Sequence, residues 1–458
     1  MELNNYYNAL AEKAFNFVRS FSSDFECLEI YFSKNDYLSS KIEENMLKHV
    51  EKGKDEGFSV RCVSRNGSMG FAFSNQVDEK HLKEIIKKSI KMMKNGTDDP
   101  EFKNFPPKFH SYPRVKKIYD KQVEDLQVED LQEYISEMIN RCKEEPLAIS
   151  HNGIISVDNE ETQIYNSNGL SISGKETFCS VYSSVIFKDK VSGASSSGFE
   201  YQLKRFLKDL TPKNIVELAS NNAKMFLYRR KIKSMRCSLV LTPLGTKELI
   251  LKPIASAINA ESFQYNRTFL VGKKGKEIGP NCLNIIDDAL IDGAIGSSNF
   301  DGEGVPCKTK NIFLNGIFLN SGLLHNWYTA NKENIESTGN AYRSSYSSKP
   351  SIDITNFILK PGDASKNELI STVKKGVLLN YTNDKPNIST GDFSGLILQG
   401  NLIENGKIST ALNETMVGIN ILDLLKNIQQ VSKEFKIYGS YRAPWVKVKD
   451  VQIIGSVP

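Results

Sequence analysis

Residues 57–74 read GFSVRCVSRNGSMGFAFS. Two runs of apolar and polar residues flank Asn66-Gly67, and Asn-Gly is the pair that best adopts the turn matching the twist of two antiparallel strands. The stretch therefore predicts a β-hairpin. Upstream, FECLEIYF at 25–32 and YLSSKIEEN at 37–45 predict two further short strands, preceded by a helix over 5–20. Downstream, Asp78 is placed to cap EKHLKEIIKKSIKMMK, where Leu82, Ile85, Ile86, Ile90 and Met93 form one apolar stripe at helical spacing. Such a stripe covers a sheet, so residues 1–100 read as an α+β layer. His81 on that helix reads as a surface residue.

Residues 101–121, within a stretch rich in proline and turn formers, read as a linker. An amphipathic helix at about 122–143 holds the short repeat VEDLQVEDLQ, too brief for a solenoid. Strands follow in AISHNGIISVDN, ETQIYNSNG and LSISGKETFCSVYSSVIF, then a helix in PKNIVELASNNAKMFLYRR. Together they make 122–235 a middle α+β segment. From 236 to 458 strands and glycine-rich turns dominate. There GDFSGLILQGNLIENGKISTA at 391–411 reads as successive hairpins, NILDLLKNIQQV as the last helix and VKVKDVQIIG as the last strand. The expected fold is α+β, an N-terminal α+β layer followed by a larger β-rich C-terminal domain.

The chain has 458 residues, 40% hydrophobic and 25% charged, an ordinary balance for a soluble globular protein with two or more cores. A net charge of +5, evenly spread, argues against direct nucleic-acid binding; basic runs such as Lys87-Lys88 and Arg229-Arg230-Lys231 read as solvated helix ends. The first residues lack signal-peptide features and no window has the apolar length to span a membrane, so a cytoplasmic location is expected. The seven cysteines are scattered, never C-x-x-C, and read as small buried hydrophobes.

Chemistry is sparse. No two of the five histidines lie within 25 residues, and neither H-E-x-x-H nor G-x-S-x-G occurs. Cys307 and His325 form an imaginable dyad, although a packed cysteine explains Cys307 better. The glycines at Gly272 and Gly275 lack P-loop spacing. LILKPIASAIN at 249–259 follows a strand-like CSLVL and a turn-like TPLG, and reads as a helix with one apolar face. Pro253 should kink or restart it. It is either a bent core helix or the vestige of an active-site helix. FDGEGVP at 300–306 sets Asp301 and Glu303 between glycines. It is either a tight loop whose carboxylates cap backbone donors or an exposed carboxylate loop at a cleft.

FDGEGVP, the spacer LNGIFLNSGLLHNWYTA, STGNAYR at 337–343 and the GDFS and E-N-G-K block at 391–407, in this order, resemble the TldD/PmbA family of peptidase subunits over nearly the whole chain. The resemblance implies that family's two-domain architecture. TldD-type members carry a zinc-binding H-E-x-x-x-H helix, and PmbA/TldE-type members lack it. Here the corresponding helix places Leu251 and Ser256 at the two histidines and Lys252 at the glutamate, and no histidine lies between 152 and 324. The resemblance therefore implies a PmbA/TldE-like subunit without catalytic residues or metal ligands of its own. Its expected partner is a zinc-bearing TldD-type chain, together forming a cytoplasmic metallopeptidase acting on unfolded peptides. The family is also associated with peptide-antibiotic maturation and with modulation of DNA gyrase. Phe300, Asp301, Glu303, Thr338, Gly339, Asn340 and Arg343 are the expected substrate- or partner-binding residues. Two alternatives stay open, a homodimer that binds extended peptides without cutting them and a stand-alone metallopeptidase with an unrecognised site.

Overall fold

The hairpin at 57–74 forms as one edge of a six-stranded antiparallel sheet. The computed structural model describes residues 2–19 and 25–457; residue 20, the expected end of the first helix, lies outside them. Helix α1 (Glu2–Val18) precedes β1 (Cys27–Glu43), β2 (Met46–Val63) and β3 (Met69–Ser74). Segments 25–32 and 37–45, expected as two strands, are one strand of 17 residues. Ser33 to Asp36 are poor strand formers, but each pairs on both sides, with 54–57 and with 159–162, and this pairing overrides propensity. The chain reverses instead at Glu44 and Asn45, whose φ values of 49° and 70° suit a two-residue hairpin turn. Between β2 and β3 only Gly67 has positive φ, at 80°. A Cβ there would stand 1.7 Å from the Asp99 carbonyl oxygen, so the loop requires glycine.

After helix α2 (Glu79–Lys94), whose first turn Asp78 caps by accepting from the His81 N–H, the chain runs irregularly to about residue 120. This passage is pinned at several points. Phe102 and Phe105 are buried, Tyr112 donates to the Gly304 carbonyl at 2.9 Å, and the Val115 N–H donates to Asn299 at 2.8 Å. Then come α3 (Val128–Lys143), β4 (Ala148–Asn166), β5 (Ser171–Lys188), β6 (Ser195–Lys204) and α4 (Pro212–Met225). The sheet order is β3-β2-β1-β4-β5-β6, so strands from 1–100 and from 122–235 share one sheet.

Strand residues alternate between faces. One face packs Leu28, Ile30, Phe58 and Val60 beneath α1 and α2, and Ile155, Val157, Cys179 and Val181 beneath α3 and α4. The opposite face, carrying Glu29, Tyr31 and Arg61, turns toward the C-terminal part. That part is built on a mixed sheet of thirteen strands with Met235–Leu241, Lys375–Tyr381 and Tyr441–Ile454 near its middle. Within 391–411 only Gln399–Glu404 and Lys407–Leu412 form a hairpin; Asp392–Leu396 pairs instead with Met416–Asn420. The expected last helix is confined to Ile421–Lys426, and the last strand begins earlier than expected, at Tyr441.

The segment around LILKPIASAIN is helical from Pro243 to Ala257. Pro253 does not break it. A wider π turn at Lys247–Leu251 lies just ahead of the proline, where its missing N–H interrupts the regular ladder. Leu249, Ile250, Leu251, Ile254, Ala257 and Ile258 are all fully buried in the main C-terminal core. Among the described residues no helix is long and apolar enough to cross a membrane.

Candidate functional site

A cleft of about 650 Å³ opens between the N-terminal sheet and the C-terminal part. Its sheet wall follows from strand alternation. Since Ile155, Val157, Cys179 and Val181 enter the core, the other parity of β4 and β5 presents Glu160, Thr162, Glu176 and Phe178 to the cleft. Glu160 pairs across the strands with Glu176, two like charges side by side. Arg205 answers Glu176 at 2.9 Å, while the Glu160 carboxylate has no hydrogen-bond or ion-pair partner among the described residues. It touches solvent within the cleft yet is crowded by protein, and this crowding, then Glu176 and Asp158, push its carboxyl up to about 7.

The facing wall comes from the π-turn helix and from the hairpin Tyr438–Tyr441, which turns at Gly439 with φ 61°. Lys247 reaches into a cage of three tyrosines, 5.1 Å from the Tyr201 ring centroid, 5.6 Å from Tyr438 and 5.7 Å from Tyr441. It donates to the Tyr201 hydroxyl at 2.5 Å. Burial holds its ammonium below the ordinary lysine range, against the opposing pull of Glu248. Lys252, one helical turn on, pairs with the same Glu248 at 2.7 Å. Two lysines thus share one carboxylate.

The end of the cleft is formed by the loops 300–306 and 337–343, which Asp301 joins. Its Oδ1 accepts from the Glu303 and Val305 N–H groups at 2.9 and 3.0 Å, and its Oδ2 accepts from the Ala341 N–H at 2.9 Å. Burial and the Glu303 charge push this carboxyl up to about 7, the three N–H bonds opposing only in part. The capping role is therefore the one the geometry displays. Of the seven expected binding residues, Phe300, Asp301, Gly339, Asn340 and Arg343 line the cleft, and Glu303 and Thr338 do not.

Most of these side chains are engaged within the chain. Glu303 accepts from Arg61 at 2.9 Å and from the Trp327 N–H at 2.8 Å. Arg61 also holds Glu29 in a two-point contact at 2.8 and 2.6 Å, and Arg343 pairs with Glu29 as well. This network of two acids and two arginines is almost wholly buried and ties β1 and β2 to both loops. Asn340 donates to Asp287 and accepts from Lys310, both at 2.9 Å. Thr338 bonds the backbone of His325, and at Gly339, with φ 70°, a Cβ would stand 2.7 Å from the Pro306 carbonyl oxygen. One donor is left over. The Nη1 of Arg343 is buried and has no hydrogen-bond acceptor among the described residues.

The imagined Cys307–His325 dyad does not form. No hydrogen bond joins the two among the described residues, Cys307 points its thiol at the Gly339 carbonyl, and burial pushes that thiol far up. His325 is buried, and burial lowers it to about 4. Lys247, Glu160 and the Tyr201–Tyr438–Tyr441 cage escape a reading of the sequence. Their only local sign is Tyr438-Gly-Ser-Tyr441, a two-residue turn flanked by tyrosines.

Family models match nearly all of this architecture. Domain 1 of the PmbA/TldA metallopeptidases matches residues 28–93, their central domain 121–227 and their C-terminal domain 234–455. The chain belongs to the PmbA/TldD family. A metalloprotease of Methanocaldococcus jannaschii is 27% identical over 431 residues, covering 91% of this chain and 92% of its own. A Buchnera aphidicola protein named metalloprotease PmbA homolog is 26% identical over 94% of this chain and 93% of its own. The crystal structure of TldE from Thermococcus kodakarensis has the same fold, with a TM-score of 0.85 at 22% identity over 97% of this chain and 100% of that one. A family metal does not fit the helix position read from the resemblance. Leu251 is sealed in the core, Lys252 brings a cation to the cleft and Ser256 is exposed. Among the described residues no three His, Cys, Asp or Glu side chains gather to hold an ion.

Proposed function

We propose that this chain is a PmbA/TldE-like subunit of a cytoplasmic TldD/TldE-type metallopeptidase, holding unfolded peptide beside a TldD-type chain that carries the zinc. One observation carries the reading. The helix Pro243–Ala257 walls the cleft but turns Lys247 and Lys252 toward it, where bound metal would require neutral or anionic donors. The metalloprotease names of full-length relatives support a role in proteolysis. An open cleft walled by strands suits extended chain, whose main-chain groups are met without sequence preference.

The test is a tagged pull-down from the native cytoplasm with the captured chains identified by mass spectrometry, followed by reconstitution. Recovery of a similar-sized H-E-x-x-x-H chain, and cleavage of unfolded casein only when both chains are mixed, is the expected result. Recovery of the bait alone, or zinc-dependent cleavage by this chain alone, overturns the reading.

A further inference from the structure

Apart from the Arg61 network, a second buried polar cluster lies behind the loop 337–343. Lys310, on the strand Thr309–Leu314, stands directly opposite Asp287, on Ile285–Asp288. Asn340 closes the group, and the exposures are 0% for Asp287, 2% for Asn340 and 8% for Lys310. Lys310 Nζ donates to Asn340 Oδ1 at 2.9 Å and stands 2.9 Å from Asp287 Oδ2. The same Oδ2 accepts from Asn340 Nδ2, again at 2.9 Å. The other Asp287 oxygen accepts from the Thr355 N–H at 2.6 Å, which fixes the carboxylate. The amide is fixed as well, since Nδ2 also donates to the Asp353 carbonyl at 2.9 Å. Nζ has one further acceptor, the Thr338 carbonyl, at 3.3 Å. One carboxylate oxygen therefore touches both an amine that can attack and an amide nitrogen that can leave, within the reach that proton transfer requires.

We propose that Lys310 and Asn340 join in an intramolecular isopeptide bond, formed once by the folded chain itself, with Asp287 moving the protons. Asp287 first takes a proton from the Lys310 ammonium. The flexible lysine stem carries the freed Nζ from Oδ1 to the adjoining Cγ, and its lone pair forms the new bond there. Asp287 hands its proton to Nδ2, the Cγ–Nδ2 bond breaks, and its electron pair leaves with ammonia. Asp287 then takes a second proton from Nζ, which keeps one as the amide N–H. Nothing is oxidised or reduced, and no co-reactant enters.

Burial supplies the driving force. The reaction turns a desolvated ion pair into an amide and a neutral acid, which removes the cost of holding two charges away from water. Asn340 lines the cleft, so ammonia has a way out. The enclosed product is shielded from hydrolysis. The bond fastens the loop 337–343 to the sheet of the C-terminal part, and it stands independently of the subunit reading above.

The test is mass spectrometry of the purified chain, intact and after digestion with trypsin. The chain should weigh one ammonia less than its sequence, and trypsin should not cut after Lys310. Fragmentation should show a branched peptide that joins Lys310 to Asn340. Asp287→Asn, which keeps the shape but cannot shuttle the protons, should retain its full sequence mass, as should Lys310→Arg. The mass of the unsubstituted chain decides the outcome even where a variant fails to fold. A full-mass chain that trypsin cuts after Lys310, even after prolonged warm incubation, overturns the proposal. So does a missing ammonia that maps elsewhere, such as to Asn66 or Asn315 ahead of their glycines, or a branch that persists in Asp287→Asn.

Discussion

Arg61 makes its strongest bonds to Glu29 and Glu303 with all three side chains almost out of reach of solvent. Removing one member of such a buried set leaves the others uncompensated. Arg61→Met should therefore cost about 3–5 kcal/mol, read as a lower urea midpoint. Glu160 gives a test with a sign. Its folded value of about 7 lies above the ordinary 4.5, so the neutral form is favoured by folding. The stability it contributes is complete below about pH 4.5 and is lost as pH rises through 7. Glu160→Gln, which cannot ionise, should match the parent melting temperature at pH 4.5 and exceed it at pH 8. Two histidines work in the opposite sense. Burial lowers His151 and His325 to about 4, so the stability they contribute is present above pH 6.5 and lost as pH falls through 4.

Helices α2 and α4 lie against the sheet at positions set by glycines. At Gly198 in β6 a Cβ would stand 2.0 Å from the Ala219 carbonyl oxygen and 2.3 Å from the Ala223 nitrogen of α4. Neither backbone atom can yield without moving the helix. Gly198→Ala should destabilise by about 1–3 kcal/mol, measured by thermal unfolding, through overpacking. Gly70 plays the same part beneath α2, where a Cβ would stand 1.8 Å from the Ser89 carbonyl oxygen. The π turn at Lys247–Leu251 belongs to this scale too, since it lets Pro253 sit in the interior of a helix that still buries its apolar face.

Across the whole molecule, the charge network and the pinned passage after α2 join two sheets into one cooperative body. Amides in β1 and in Met235–Leu241 should therefore show matching protection in native-state hydrogen exchange. Arg61→Met should split them, the N-terminal sheet opening first. The same joint creates the cleft, because its walls come from β4 to β6 on one side and from the π-turn helix and the 438–441 hairpin on the other.

By itself, the sequence determined the α+β class, the hairpin at Asn66-Gly67, the capped stripe of α2 and the family, because each is written in local spacing or in side-chain chemistry. It also marked the loops 300–306 and 337–343 as special. Only the tertiary structure decided what those loops do. Glu303 and Arg343 have their partners 242 and 314 residues away in the chain, at Arg61 and Glu29, and no local pattern announces such a pairing. The long β1 was hidden for a similar reason, since its weak central residues are held by strands on both sides. The cleft stayed invisible longest. Glu160, Lys247 and Tyr441 are unremarkable along the chain, and come to line one cleft only when two sheets meet.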